Sequence, residues 1–282
     1  FTTRQNMQLN WPQLEQTPAI LGELASVEMH AVQTSGNCIR NITTDQFAGV
    51  APDELTDPRP YCELLRQWST FHPEFAFLPR KFKIAVNAAA TDRAVIRAHD
   101  IGLELLRDER GEIGVRIFVG GGLGRTPILG KLIHESLPRR HLLSYLEAIL
   151  RVYNRYGRRD NMYKARIKIL VQALGIDEFR RQVEAEWSHL KDGPTTVPDE
   201  EFARIAAHFA PPAWATLPAV DEGLTARVAG DLAFANWVRR CVHPHRAPGY
   251  AAVTLSLKAP GAAPGDISDT QMLVVADLAG RF

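Results

Sequence analysis

The chain has 282 residues, 45% of them hydrophobic and 23% charged, with a formal net charge of +1. This is the composition of an ordinary soluble globular protein, long enough for about two domains. The near-zero charge excludes a bulk electrostatic draw to nucleic acid or a membrane surface, and no apolar run reaches the roughly 20 residues of a membrane span.

Thr2 to Leu9 reads as a strand with one polar face, Thr2, Arg4, Asn6 and Gln8. A helix follows from about Gln13 to Leu24, with Leu14, Leu21 and Leu24 at helical spacing. Gln33 to Gly49 is a polar passage holding Cys38-Ile39-Arg40-Asn41, and Pro58 and Pro60 introduce a short helix, Tyr61 to Ser69. Arg80 to Val86 reads as a strand. Its alternation puts Lys81 and Lys83 on one face and Phe82 and Ile84 on the other. The two ammonium groups then stand about 7 Å apart, at a rise of roughly 3.3 Å per residue. They form a solvated basic face, or a seat for a small anion.

Two further strands are predicted, Ile101 to Leu106 and Val115 to Val119, joined by a turn at Asp108 to Gly111. The second runs into Gly120-Gly121-Gly122-Leu123-Gly124. From there the pattern is helical: His141 to Tyr156, Asn161 to Leu174 and Asp177 to Trp187, the first two stopped by Gly157 and Gly175. Lys191 to Pro198 is a linker by composition, and 199–225 reads as helix plus loop. Gly249 to Leu257 is a strand, and Ser268-Asp269-Thr270-Gln271 is a capping box that opens a last helix. The chain starts on Phe1 within a strand-like run and ends on Phe282 without a finished element, so both ends read as cut.

Some constellations could carry chemistry. The glycines after Val119 free the backbone for close approach, as a plain turn or as a cradle for an anion. Their spacing is too tight for a dinucleotide fingerprint. Arg139 to Lys168 holds nine Lys/Arg residues against Glu147 and Asp160. That stretch is either two helices with basic outer faces or a seat for a ligand with several carboxylates or phosphates. No aromatic-interleaved patch supports nucleic acid. Cys241-Val242-His243-Pro244-His245 is a weak metal pattern, and Asp199-Glu200-Glu201 reads as a helix N-terminus. The three cysteines, Cys38, Cys62 and Cys241, are isolated. They argue against a disulfide framework, fit a reducing, cytoplasmic compartment and cannot supply four cluster ligands.

Thr2-Thr3-Arg4-Gln5-Asn6, Cys38-Ile39-Arg40-Asn41, Leu78-Pro79-Arg80-Lys81-Phe82-Lys83, Gly120-Gly121-Gly122-Leu123-Gly124 and Lys164-Ala165-Arg166 occur in that order. The set resembles the sirohaem-dependent nitrite/sulfite reductases. The closing segment, Gly249-Tyr250 through Pro264-Gly265-Asp266 to Gln271, resembles the start of that family's second ferredoxin-like half. The resemblance implies an α+β protein with a mixed-sheet sirohaem-binding domain at 33–190. It implies the end of a first ferredoxin-like half at 1–32, a helical linker at 191–240 and the start of a second half at 241–282.

The implied chemistry is six-electron reduction of sulfite to sulfide or nitrite to ammonia, at a sirohaem coupled to a [4Fe–4S] cluster. Arg4, Arg40, Lys81 and Lys83 would hold substrate. Asn41, Arg80 and the Gly120, Gly121 and Gly122 backbone would line the eight-carboxylate sirohaem. Met162 stands where many relatives carry a basic residue. The cluster cysteines belong to the family's second half and are not replaced by Cys38 or Cys241, so the piece alone is expected to be inactive. The implied electron donor is ferredoxin or a flavoprotein subunit. The alternative is a non-catalytic module that binds a polyanion or tetrapyrrole.

Overall fold

Local hydrogen-bonding preference decides the first departure from the expected elements. In the computed structural model, which describes residues 1–108, 111–218 and 220–281, Thr2 to Leu9 is not a strand. Thr2 Oγ1 accepts from the N–H groups of Arg4 and Asn6, and Gln5 takes φ +57°, so the segment closes into a turn. Threonine hydroxyls that bond nearby backbone compete with a ladder in this way.

The chain divides into two units, one of residues 1–30 with 215–282 and one of residues 31–214. The first begins with helix α1 (Thr17–Ser26). The larger unit then holds α2 (Arg59–Ser69), strands β1 (Ile84–Asn87), β2 (Ile101–Arg107), β3 (Ile113–Val119) and β4 (Lys131–Pro138), and helices α3 (Leu142–Tyr156), α4 (Ile167–Leu174), α5 (Ile176–Trp187) and α6 (Asp199–Ala207). The smaller unit resumes with α7 (Glu222–Gly230), α8 (Leu232–Cys241), β5 (Val242–Pro244), β6 (Ala251–Val253) and α9 (Asp269–Arg281).

The sheet of the larger unit runs β1-β2-β3-β4 and is mixed, with β1 parallel to β2 and the other pairs antiparallel. Period-two alternation gives it one buried face: Ile101, Leu103 and Leu105, Val115, Ile117 and Val119, Ile133 and Leu137. On the other face Arg116 pairs with Glu104 (3.0 Å) and Glu135 (3.5 Å). Helix α3 is buried along nearly its whole length, and Tyr145, Leu146, Ile149, Leu150 and Tyr153 join the core.

Several boundaries move from their expected places. The regular ladder of β1 starts at Ile84, not Arg80. Helix α4 starts at Ile167, not Asn161. Asn161 Oδ1 instead accepts the Tyr163 N–H (3.0 Å), its carbonyl accepts the Lys164 N–H (3.0 Å), and Arg166 stays extended at ψ 146°. Strand β4 falls where only helix was expected, and helix α8 was not singled out. Of the turn at Asp108 to Gly111, residues 109 and 110 lie outside the described residues; the Asp108 N–H donates to Glu112 O (2.8 Å).

Residues 191–214, expected as part of a linker, belong to the larger unit. Phe202 and Ile205, three apart on α6, turn into the core, and Phe202 packs on Tyr61 with ring centroids 4.7 Å apart. In the smaller unit the Phe1 ammonium donates to Gly265 O (2.7 Å), and β5 pairs with β6. There Leu14, Leu232 and Leu273 stay exposed.

Candidate functional site

The basic strand gets its shape from its apolar side. Phe82 and Ile84 are 0% exposed, and Ile39 pairs with Phe82 in parallel. The Arg40 N–H donates to Phe82 O (2.8 Å) and the Phe82 N–H to Cys38 O (3.0 Å). Burying Ile39, Phe82 and Ile84 on one side leaves Lys81 and Lys83 half-buried on the other, as the alternation requires. Arg40 is also half-buried. Its guanidinium donates to Thr34 O (2.6 Å) and Gly36 O (3.1 Å), which folds the 34–36 loop around it. Asn41 is half-buried and donates its N–H to Gln33 O (3.3 Å).

Asp100, directly ahead of β2, is 0% exposed. Its Oδ1 accepts from Nε (2.9 Å) and Nη2 (2.7 Å) of Arg166, and its Oδ2 accepts the Lys83 N–H (2.8 Å). Its carbonyl accepts the Gly120 N–H (2.9 Å). Three segments remote in sequence thus meet at one residue. Tyr153 supports the Arg166 side by donating its hydroxyl to Ala165 O (2.8 Å).

The glycine loop is closed by two bonds between Gly122 and Ile128, each 2.9 Å, and by Lys168, whose Nζ donates to Thr126 O (2.6 Å) and Leu123 O (3.2 Å). Its glycines serve different ends. Gly120 takes φ +82°, and a Cβ there would meet Val171 at 2.9 Å. At Gly121 a Cβ would lie 2.2 Å from Arg97 O. At Gly122 it would enter the space beside Arg166 Nη2 (3.0 Å) and Lys168 Cδ (3.2 Å). Gly122 therefore lets the Arg166 guanidinium and the Lys168 stem lie close against the loop, while Gly120 and Gly121 answer to backbone shape and packing.

The cations are close enough to perturb one another. Burial pushes the Lys81 ammonium below the usual lysine range; Arg40, Arg80 and Arg166 push the same way, and Asp100 opposes them. Burial also lowers Lys168, with Arg166 adding and Asp100 opposing. Arg40 is lowered by burial first and, more weakly, by Arg80, while Cys38 opposes. Burial pushes the Asp100 carboxyl up, and Arg166 and the Lys83 N–H pull it back. Such a cluster is costly alone and favourable around a polyanion. A lysine held in it gives up its proton more readily than a free one.

Arg40, Arg80, Lys81, Lys83 and the glycine loop are thus brought together, joined by Arg166 and Lys168. Arg4 stands in the smaller unit, in the turn made by Thr2 to Asn6. Arg158 pairs with Asp160, and Arg159 donates to Asn154. Met162 is exposed. The sequence reading missed Asp100 and Tyr153. The available signal for Asp100 was slight: a single acid opening a strand that neighbours the basic one.

The donor set fits a carboxylate-rich tetrapyrrole, because Arg40, Arg80, Lys81, Arg166 and Lys168 supply several cations close enough to perturb one another. They do not fit an iron–sulfur cluster. Cys38 donates its thiol to Ser35 O (3.1 Å), and among the described residues no group of three His, Cys, Asp or Glu side chains could hold a metal ion. The pattern at Cys241 to His245 instead leads into β5, and His245 Nδ1 accepts the Ala247 N–H (2.9 Å).

Comparison with known proteins agrees with the geometry. A family model described as the nitrite and sulphite reductase 4Fe-4S domain matches residues 35–191. "Sulfite reductase [ferredoxin] 1" of Mycolicibacterium paratuberculosis is 34% identical over 200 residues, covering 70% of this chain and 36% of that protein. The chloroplastic "Ferredoxin--nitrite reductase" of Arabidopsis thaliana is 32% identical over 189 residues, 65% of this chain and 32% of that protein. The solved structure of the Mycobacterium tuberculosis NirA protein aligns with a TM-score of 0.62 at 30% identity, over 70% of this chain and 36% of that one. A dissimilatory sulfite reductase structure shares the fold at 12% identity, with a TM-score of 0.50. The chain spans about a third of the length of the curated relatives it matches. With the matched segment containing residues 80–83 that lead into β1 (the lead-in strand), Asp100, the glycine loop and Arg166, the chain belongs to the nitrite and sulphite reductase 4Fe-4S domain family.

Proposed function

We propose that this chain is the sirohaem- and anion-binding part of a sulfite or nitrite reductase. The whole protein would carry out the six-electron reduction of sulfite to sulfide or of nitrite to ammonia. The observation that carries this reading is the convergence of Arg40, Arg80, Lys81, Arg166 and Lys168 beside the Gly120–Gly124 loop, countered by buried Asp100.

Sirohaem, when bound, supplies the redox centre at which substrate is reduced. The chain's own residues bind, orient and protonate. Arg80, Arg166 and Lys168 hold peripheral carboxylates, with the Gly120, Gly121 and Gly122 backbone and Asn41 alongside. Lys81 and Lys83, on one face of the lead-in strand, hold the small oxyanion together with Arg40. Removing substrate oxygen as water consumes protons, and the Lys81 Nζ, lowered by burial and by its cationic neighbours, delivers them. No step is assigned to an iron–sulfur cluster, because the cysteines of this chain do not fit one.

We read residues 1–32 and 241–282 as parts of ferredoxin-like halves, ferredoxin or a flavoprotein subunit as electron donor, and a cytoplasmic setting consistent with three cysteines that form no disulfide. Among the described residues no helix is long and apolar enough to cross a membrane.

The test is titration of the purified chain with sirohaem, followed by its Soret band. Saturable binding that weakens about tenfold or more in Arg80→Ala or Arg40→Ala supports the reading. Unchanged affinity in both variants removes these residues from the site, and absence of a saturable band removes the cofactor.

A further inference from the structure

A fully buried carboxylate is an unexpected component of a cage for anions. By charge alone, Asp100 repels the ligand that the surrounding cations attract. Its geometry gives it another task. Both carboxylate oxygens are engaged, Oδ1 by the Arg166 guanidinium and Oδ2 by the Lys83 N–H, and its carbonyl holds the Gly120 N–H. The next residue, Ile101, donates its N–H to Lys83 O (3.1 Å). One short stretch therefore ties the 80–83 strand, the start of the glycine loop and the N-terminal end of α4.

We propose that Asp100 is the positioning residue of the cage: it holds the Arg166 guanidinium, the Lys81–Lys83 strand and the glycine loop in their binding arrangement before any anion arrives. This rests on the reading of the site as an anion cage. An arginine left to itself samples many rotamers and must be ordered at the moment of binding. Arg166 fixed in advance by two bonds to one carboxylate oxygen, in a site without solvent exposure at the carboxylate, has already met that cost. The charged groups that bear on Asp100 are Arg166 and Lys168 from the α4 side and Lys81 and Lys83 from the lead-in strand, with the Tyr153 hydroxyl from α3.

The proposal predicts a sign opposite to that of simple attraction. Asp100→Asn adds one positive charge to the site, which by Coulomb's law alone tightens a polycarboxylate. Loss of positioning weakens it instead. The experiment is sirohaem titration of the full chain by Soret absorbance for the wild type, Asp100→Asn, Arg166→Gln and the double variant. Ligand-free NMR of the Arg166 Nε–H accompanies it. Expected are a loss of about tenfold or more in affinity for Asp100→Asn, a double variant no tighter than Arg166→Gln, and a protected Arg166 Nε–H signal that is present in the wild type and lost in Asp100→Asn.

If Asp100→Asn leaves Arg166 too poorly paired to fold, the double variant removes the buried pair together and carries the test against Arg166→Gln. Equal or weaker affinity supports positioning, and tighter affinity overturns it. An Arg166 signal unchanged by Asp100→Asn also overturns it. The NMR measurement needs no tetrapyrrole. A wild type that binds no sirohaem but shows the protected signal, lost in the variant, therefore defeats the functional reading and leaves the positioning role standing.

Discussion

Two arginine-rich regions of the larger unit look alike in sequence and differ in charge balance. Along α3, Arg151 pairs with Glu74 (2.8 Å), Glu147 (2.8 Å) and Glu186 (3.3 Å), and Arg155 with Glu186 (3.2 Å). Just before that helix Arg139 pairs with Asp199, and Arg140 with Asp192 (3.0 Å). The recess of about 420 Å³ lined by Glu74, Arg151, Asn154, Arg155 and Glu186 is therefore internally matched. At the lead-in strand, Lys81, Arg166 and Lys168 bear on Asp100, and Arg40 and Arg80 add positive charge beside Lys81. Counting charge along 139–168 suggests that the surplus lies on the helices. In three dimensions acids from distant segments cancel it there, and the excess stands at the strand and loop edge. A run of basic residues becomes an anion site only where folding brings it no matching acids.

The largest effect expected from breaking this contrast comes from below the cage. Phe82→Ala removes a side chain that is 0% exposed and packs on Tyr153, with ring centroids 5.4 Å apart. It should cost about 3–5 kcal/mol in urea unfolding. Next, Arg166→Ala should weaken sirohaem binding by a factor on the order of 10–100, the scale of one or two charge-assisted hydrogen bonds. Soret titration measures it.

A smaller effect should follow pH. The folded-state value of Lys81 lies below its unfolded one, so the folded protein sheds this proton first as pH rises. The stability cost of charged Lys81 is therefore present at neutral pH and is relieved between the folded and unfolded values. Nitrite affinity should move oppositely, falling in that window below the usual lysine range. Lys81→Arg should carry the fall to higher pH, which binding isotherms across alkaline pH would detect. Smallest of all, the charge matching along α3 can be checked with Arg155→Ala. Its half-exposed ion pair should be worth about 0–1 kcal/mol by thermal unfolding, with sirohaem affinity unchanged. A marked loss of affinity there would erase the distinction between the two regions.

Much of the proposed cage was legible before folding was considered. The alternation of Lys81 and Lys83 against Phe82 and Ile84 needs only the period of a strand, and the glycines after Val119 announce a backbone that must bend or be approached closely. Strand β4 was less visible. Its apolar residues Ile133 and Leu137 are four apart, a spacing that suits a helix as well as a strand with irregular pairing to β3. Thr2 to Leu9 misled in the other direction, because alternation in a short polar segment says nothing of the local bonds that Thr2 makes. Asp100 could not be ranked above any other acid, since its burial depends on Arg166, 66 residues away.

By itself the sequence determined which residues could be cations on a strand face, where the chain turns on glycine, and which helices must bury a side. These follow from backbone period and side-chain chemistry over a few neighbouring positions. Tertiary structure decided which of those charges are cancelled and which converge, because electrostatic balance is a property of distances between segments far apart in the chain.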